Sequence, residues 1–219
     1  MTAADPPVPF DPYHVGRGQD SDPSRGHGAG GPASKRVIVA YGFWIFLLSD
    51  IVMFSAFFAG YAVLSGNTAG GPGARQLFDL HNVAIETACL LLSSFSCGMA
   101  AVATEARNKA AFYLMMAVTF VLGAAFITLE VREFAALIAQ GDGPSRSAFL
   151  SAFFALVGCH GAHVSVGLLW LLTMMAQVFA KGFRPEILRR ILCFSLFWHA
   201  LDIIWVAVFT VVYLLGVHP

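Results

Sequence analysis

Five long apolar runs constrain this 219-residue chain more than any other feature of its sequence. Each run reaches the ~20 residues that a helix needs to cross a hydrocarbon core of about 30 Å. Hydrophobic residues make up 58% of the chain and charged residues only 12%, which is far from the balance of a soluble domain. The sequence therefore predicts an all-α integral membrane protein with spans at about 40–64, 83–104, 110–131, 148–179 and 191–215.

Residues 1–36 differ sharply in composition from the remainder of the chain. They include six prolines and six glycines and have almost no apolar content. A segment of this kind cannot bury enough apolar surface to order itself. We therefore expect a disordered cytoplasmic tail over 1–36, followed by a single five-helix domain over 37–219.

The distribution of basic residues predicts the orientation of the five spans. The tail, the turn at 105–109 and the loop at 181–190 carry four, two and four basic residues, all on one side of the membrane. The opposite side carries three, namely Arg75, Arg132 and Arg146. Since basic residues concentrate in cytoplasmic segments, the N-terminus is predicted to be cytoplasmic. The formal net charge of zero gives no indication of nucleic-acid binding.

Several ionisable side chains lie inside the apolar runs, where polar groups are costly and usually face other helices. His160 and His163 are spaced i,i+3 in the fourth span, so both rings lie on one helix face. Counting 1.5 Å per residue from each predicted interface places Asp50, His160, His163 and His199 in the inner half of the membrane. These four are expected to form one polar cluster.

A second cluster is expected near the outer interface. The same depth count places Glu86, Glu130 and Glu133 there, with Arg132 as their counter-charge. In the fifth span, His199 and Asp202 repeat the i,i+3 spacing, and two tryptophans, Trp198 and Trp205, most simply act as packing anchors.

The residues alone leave three functions open. His160-x-x-His163 with His199-x-x-Asp202 offers metal ligands, as in a membrane metalloprotein, although two such pairs are few for a di-metal site. Asp50 is also suited to carry protons in a transporter, but no inverted repeat accompanies it. The third interpretation is structural: buried polar groups bond neighbouring helices to one another and help to bind lipid or a partner subunit.

Three segments resemble subunit III of the haem–copper respiratory oxidases. They are FLLSDIVMFSAFFAGYAVL (46–64), HGAHVSVGLLW (160–170) and FWHALDIIWVAVFTVVYLLG (197–216). The likeness covers Tyr41 to Gly216, and HGxH followed one span later by WHxxDxxW is a highly specific combination. Within the family, the chain is most similar to subunit III of cytochrome o ubiquinol oxidase. The five spans, the NTAGGP loop (67–72) and the stretch at 143–158 favour that branch, as does an aspartate at position 50 where cytochrome c oxidases usually have glutamate.

This resemblance implies a non-catalytic accessory subunit of a proton-pumping terminal ubiquinol oxidase. The complex would oxidise ubiquinol and reduce oxygen to water, with haem and copper in subunit I and no cofactor or active site in this chain. The chain would pack against subunit I and other oxidase subunits, and it would support proton uptake. It would also bind phospholipid in a cleft between two helix groups, spans 1–2 and spans 3–5, in the bacterial cytoplasmic (inner) membrane.

The resemblance also indicates which residues matter. Structural, lipid-binding or proton-handling roles, and no catalytic or metal-ligating ones, are implied for Asp50, Glu86, Glu130, His160, His163, His199 and Asp202. A shortened cytochrome c oxidase subunit III and a stand-alone membrane metalloprotein remain the alternatives.

Overall fold

A computed structural model describes residues 35–217, and every regular element within them is a helix. In chain order the helices are α1 (Lys35–Leu64), α2 (Ala74–Leu77), α3 (Leu80–Glu105), α4 (Lys109–Ala139), α5 (Ala148–Lys181), α6 (Pro185–Val208), a π-helical segment (Phe209–Leu214) and α7 (Leu215–Val217). Five of the described helices are long and apolar enough to span a membrane, counting α6 with the π-helical segment. The predicted five-span, all-α fold is confirmed, whereas the predicted tail lies outside the described residues except for Lys35 and Arg36, which begin α1.

Side-chain caps explain where three of the five long helices begin, namely α3, α4 and α5. Asp79 accepts a hydrogen bond from the backbone N–H of His81 at 2.9 Å, and Asn108 accepts one from that of Ala111 at 3.2 Å. Ser147 Oγ accepts a hydrogen bond from the backbone N–H of Leu150 at 3.2 Å. These side chains satisfy backbone donors that have no partner within the first turn.

Two boundaries differ from the sequence prediction by six residues or more. The third span continues beyond the expected end near residue 131 to Ala139, because the charged residues at 130–133 lie within the helix and do not end it. The fifth begins at Pro185, six residues before the expected start, since proline is favoured in the first helical turn. The predicted loop after α1 is present, but it is followed by the short helix α2, which was not predicted.

The helices pack around α5 and α6. The main contacts of α1 are with α5 and α6, while α3 packs on α4 and α6, and α4 packs on α5. The expected division into spans 1–2 and spans 3–5 is therefore not confirmed, because α1 makes its main contacts outside that first pair. Only 11% of the most apolar part of α1 is buried, against 56% for the span formed by α6 and the π-helical segment.

Glycines allow α4 and α5 to approach the indole of Trp198 on α6. A Cβ atom at Gly123 would lie 3.1 Å from this ring, and one at Gly167 would lie 2.9 Å from it. Both distances are shorter than a normal carbon contact, so neither position has room for a side chain. Trp198 is 2% exposed, and it is a packing anchor, as expected.

Candidate functional site

A set of hydroxyl groups on α3 bonds that helix to its neighbours. We call it the hydroxyl seam, and it consists of Thr87, Ser93, Ser94 and Ser96. The indole N–H of Trp198 donates to Ser93 Oγ at 3.1 Å, and that of Trp205 donates to Thr87 Oγ1 at 3.1 Å. Between helices in lipid, where water is absent, such bonds fix one helix against the next.

The seam continues to α4 and to the polar pair on α6. Ser96 Oγ lies 2.7 Å from Thr119 Oγ1 of α4. Ser94 Oγ lies 2.7 Å from Nδ1 of His199, and Asp202 interacts electrostatically with the same ring. His199 is thus anchored to α3, while Oδ1 of Asp202 is buried without a hydrogen-bond partner among the described residues.

His160 and His163 share one face of α5, as the spacing predicted, and both rings contact Phe54 of α1. The ring centroid of Phe54 lies 6.3 Å from that of His160 and 5.3 Å from that of His163. His163 Nδ1 lies 2.8 Å from the backbone oxygen of Cys159 in its own helix. His160 is fully buried against Trp205, at 5.1 Å between centroids, and neither of its ring nitrogens has a hydrogen-bond partner among the described residues.

The four residues expected in one inner cluster are distributed over separate helix contacts. Asp50 is half-buried on α1 and interacts electrostatically with Cys159 of α5, close to His163. His199 instead bonds to α3. Within residues 35–217, no hydrogen bond joins Asp50, His160, His163 and His199 to one another.

Three carboxyl groups come together at the other end of the bundle. This carboxylate cluster consists of Glu86 on α3 with Glu130 and Glu133 on α4, and each glutamate interacts electrostatically with at least one other. Glu86 and Glu130 are 1% and 3% exposed. The expected cluster of glutamates is therefore present. Arg132, its expected counter-charge, is exposed and forms no ion pair with it in the described part of the chain.

The carboxylate cluster is closely packed and has few hydrogen-bond partners around it. A Cβ atom on Gly161 of α5 would lie 2.6 Å from both carboxylate oxygens of Glu130. The fully buried hydroxyl of Tyr213 interacts electrostatically with all three glutamates. The Tyr213 hydroxyl lies beside the carboxyl group of Glu133. Neither this hydroxyl nor one oxygen of each glutamate forms a hydrogen bond of normal geometry among the described residues, in contrast to the seam.

Sequence reasoning missed several residues of these two regions. The sequence did not indicate a hydrogen-bonding role for any of six residues, namely Thr87, Ser93, Ser94, Ser96, Thr119 and Tyr213. The available signal was the repeated occurrence of hydroxyl side chains on one stretch of α3 opposite two tryptophans. Within residues 35–217, no group of three or more His, Cys, Asp or Glu side chains is arranged to hold a metal ion.

Three of the clefts on the described part of the bundle have similar volumes of about 370–420 Å³. An apolar groove of about 390 Å³ between α1 and α6 is lined by Trp44, Phe54 and His199 among others. A polar cleft of about 370 Å³ lies outside the carboxylate cluster, where Glu86, Arg132 and Glu133 line it. The third, of about 420 Å³, separates the end of α3 from the start of α6, and we call it the arginine cleft after Arg107 and Arg189.

Comparison with known proteins places these features in a wider context. The sequence profile of the family "Cytochrome c oxidase subunit III" matches residues 27–217. The chain is 49% identical over 206 residues to the cytochrome bo(3) ubiquinol oxidase subunit 3 of Pseudomonas aeruginosa, covering 94% of each chain. It is 53% identical to the corresponding protein of Pseudomonas putida, over 80% of this chain and 85% of the relative. It is also 41% identical to the quinol oxidase subunit 3 of Bacillus subtilis, over 80% of this chain and 86% of the relative.

Proposed function

Because the chain belongs to the cytochrome c oxidase subunit III family, we propose that it serves as subunit III of a bacterial terminal ubiquinol oxidase. It is a multi-pass bacterial membrane protein and an accessory oxidase subunit. The finer parts of the proposal are that it stabilises subunit I, binds phospholipid and supports proton uptake from the cytoplasm. The inner membrane is the membrane in which such a complex would work, with the N-terminus of this chain in the cytoplasm.

One observation carries the proposal for the quinol branch. The similarity to proteins named as quinol oxidase subunits extends over most of this chain and most of each relative. Ubiquinol or another quinol would then be the electron donor of the complex, and the redox cofactors would lie in other subunits.

The polar interior supports a stabilising role over a catalytic one. The hydroxyl groups of the seam are hydrogen-bonded to side chains of neighbouring helices. Such groups have little capacity left to bind a substrate, and they give the bundle one defined packing that a larger subunit can recognise. The poorly buried α1, with exposed side chains such as Tyr41, Ile45 and Val52, offers surface to lipid or to another subunit.

Proton handling and lipid binding rest on individual residues. The proposal of proton handling rests on the position of Asp50, a half-buried carboxyl group within a membrane-spanning helix that has no hydrogen bond from the described residues. The apolar groove between α1 and α6 suits an acyl chain, with His199 as a polar group along it.

Purification of the intact complex through a tag on this chain tests the proposal. We expect a haem-containing subunit to co-purify, and the preparation to oxidise ubiquinol but not reduced cytochrome c. Oxidation of cytochrome c would favour a shortened cytochrome c oxidase subunit III instead. A chain that carries stoichiometric metal or a visible chromophore when isolated alone would overturn the accessory role.

Deletion of the gene for this chain provides the second measurement. If the subunit stabilises subunit I, the remaining complex should lose activity faster during turnover or detergent exposure while its initial rate changes less. An unchanged time course would contradict the stabilising role.

A further inference from the structure

We propose that the carboxylate cluster and the hydroxyl of Tyr213 form a proton-exchange site, in which internal water bridges the buried groups and joins them to the polar cleft. The site lies at the end of the bundle opposite the basic segments at 105–109 and 181–190. Only its assignment to the outer side of the membrane rests on the proposed function and orientation of the chain. Its residues are distinct from Asp50, which carries the proposal of proton uptake from the cytoplasm.

Four buried polar side chains meet at this site without hydrogen bonds of normal geometry. One carboxyl oxygen of each glutamate and the hydroxyl of Tyr213 are without partners within residues 35–217. Tyr213 comes from the π-helical segment, and its fully buried hydroxyl is directed at the glutamates, since it interacts electrostatically with all three. Buried polar atoms in proteins are normally satisfied, and where no protein group does so an ordered water does.

Water matches both the chemistry and the size of the site. A carboxylate oxygen only accepts hydrogen bonds, whereas a tyrosine hydroxyl donates one and accepts others, so the bridging molecule has to do both. A buried water forms about three such bonds. Glu130 and Tyr213 are buried and do not line the polar cleft, so a larger ligand would reach them only by displacing Glu86 or Glu133.

The polar cleft provides the route from the cluster to the aqueous phase. Glu86 and Glu133 belong both to the cluster and to the lining of this cleft, so they connect its buried and its open parts. Asn82 and Gln140 add further polar side chains to the lining. The apolar groove between α1 and α6 has no carboxyl group in its lining and offers no comparable path.

The charges around the cluster favour a proton shared between its carboxyl groups. The charged groups that act on the three glutamates are the glutamates themselves and Asp79, all of one sign. Close negative charges repel one another strongly in an apolar interior, and a proton bound by one oxygen and hydrogen-bonded to the next relieves that repulsion. The proton passes between a carboxyl oxygen and a bridging water, and no other bond is made or broken.

The neighbouring elements do not supply a neutralising cation. Arg132 on α4 is exposed, and Arg75 on α2 takes part in an interaction but is not among the charges that act on the glutamates. The titratable groups that α1 and α5 place near the site are Tyr61, which interacts with Tyr213, and His160, which precedes Gly161. Both of these side chains are buried.

Infrared difference spectroscopy of the intact complex tests whether the cluster holds a proton. Wild-type complex and the variant E130Q would be placed in nanodiscs and moved between acidic and alkaline buffer while the C=O stretch of protonated carboxylic acids is recorded. We expect the wild-type complex to give the band of a buried acid and E130Q to lack it, because an amide cannot take up this proton. Glu105→Gln is the matched control, since Glu105 is an exposed glutamate at the opposite end of the bundle, and it should keep the band.

Tyr213→Phe keeps the test decisive if E130Q does not assemble. It retains the packed ring and removes only the hydroxyl, so it should shift the frequency of the same band.

Transfer into D₂O tests the route through the polar cleft. Ala136 is exposed and lines this cleft, whereas its neighbour Ala135 is exposed and does not. Ala136→Trp should keep the band but slow its shift in D₂O on the order of tenfold, because exchange then requires a local opening of the structure. Ala135→Trp should exchange at the wild-type rate.

Three results would overturn the inference. They are a band that persists in E130Q or is unshifted in Y213F, equal exchange rates in A136W and A135W, and a cryo-electron microscopy map with a metal ion or polypeptide of another subunit between the carboxyl groups. Haem content and ubiquinol oxidation of the same preparations report the proposed function separately. An active, fully assembled complex without the band would contradict only the proton-exchange site.

Discussion

The hydroxyl seam and the carboxylate cluster are both polar regions inside an apolar bundle, but they differ in how far their polar atoms are hydrogen-bonded. In the seam, hydroxyls of α3 meet indole or imidazole nitrogens of α6 and a hydroxyl of α4, at 2.7–3.1 Å. In the cluster, three carboxyl groups and the Tyr213 hydroxyl each leave a buried oxygen without a hydrogen-bond partner within residues 35–217.

The difference shows that burial of polar groups does not by itself indicate what they contribute. A satisfied hydrogen bond between helices stabilises the packing, by about 0.6 kcal/mol on average in membranes. A buried group without a partner lowers stability and is retained for another reason, such as a bound water, a proton or a contact made only in the assembled complex. We therefore propose that the seam has a structural role in this subunit and that function is to be sought at the cluster.

The largest expected effect comes from removing the tryptophan that bonds to the seam and packs near Tyr213. Trp205 is fully buried, donates to Thr87 of the seam, meets Phe126 edge-to-face and lies against His160. Trp205→Ala should lower the free energy of unfolding by about 3 kcal/mol or more, because it leaves a large cavity and removes a hydrogen bond between α3 and α6. Thermal unfolding in nanodiscs measures the change. Phe179→Ala, at a side chain 85% exposed, is the control and should change stability by less than about 0.5 kcal/mol.

The next effect tests how closely the carboxylate cluster is packed. Gly161→Ala places a methyl group 2.6 Å from the carboxylate oxygens of Glu130, so we expect a loss of about 1–3 kcal/mol. Gly158→Ala, whose Cβ would lie 3.5 Å from Phe134, should be tolerated. In an E130A background the penalty of G161A should shrink, and a full double-mutant cycle measures this coupling. Additive losses would mean that Glu130 does not occupy the space beside Gly161.

A smaller loss is expected within the seam. Ser94→Ala removes the partner of His199 Nδ1 and should cost about 0.6 kcal/mol, with about 1.7 kcal/mol as an upper bound. Chemical denaturation of the purified subunit gives the value. Ser49→Ala serves for comparison, since Ser49 is exposed and its hydroxyl bonds only within its own helix. Equal values for the two variants would show that the bond between α3 and α6 contributes nothing.

A conservative substitution in the carboxylate cluster should, unlike Ser94→Ala, leave the stability of the subunit unchanged or increase it. Glu86→Gln keeps the shape of the side chain and removes its interaction with Glu133, so stability should stay the same or increase by about 1 kcal/mol. The measurement is the same denaturation curve. A loss larger than that of S94A would show that Glu86 has a strong partner and would erase the contrast between the two regions.

The smallest effect is expected at Asp50. Its carboxyl group makes no hydrogen bond in the described part of the chain, so Asp50→Asn and Asp50→Leu should have stabilities within about 0.5 kcal/mol of each other. If Asp50 has a hydrogen-bonding partner, the leucine variant should be less stable by about 1–3 kcal/mol. Comparing the melting temperatures of the two variants decides between these outcomes.

The sequence predicted the fold well because lipid imposes a simple rule. A run of about 20 apolar residues must form a helix if it crosses the membrane, so span number and approximate bounds follow from hydropathy alone. The end of α4 was placed too early, since Glu130 and Glu133 look like interface residues in a linear reading. Their i,i+3 spacing places them together on a face directed into the bundle, while Arg132 between them is exposed.

The candidate site was predictable only in part. The i,i+3 spacing of His160 and His163 correctly predicted that both lie on one face of α5. The estimated depth of each residue in the membrane correctly predicted that the three glutamates lie together. Depth did not show that His199 bonds to α3, away from Asp50 on α1, because rotation of a helix about its axis is set by packing and not by distance along the chain. Tyr213 was missed for a related reason, since it lies in the π-helical segment, where ordinary helical spacing does not apply.

That π-helical segment, Phe209–Leu214, has a consequence for engineering and for evolution. Its wider turn accommodates one more residue than an α-helical turn, and each extra residue rotates the rest of the helix by about 100° relative to an uninterrupted α-helix. If the segment wound as a regular α-helix without losing a residue, Val212 and Tyr213 would turn away from the interior they now fill. Deleting one residue would let the segment wind regularly and leave the residues that follow on their present face, and an insertion elsewhere in α6 would keep that face only if another turn widened in the same way. The orientation of the last turns therefore depends on the extra residue held in the wide turn.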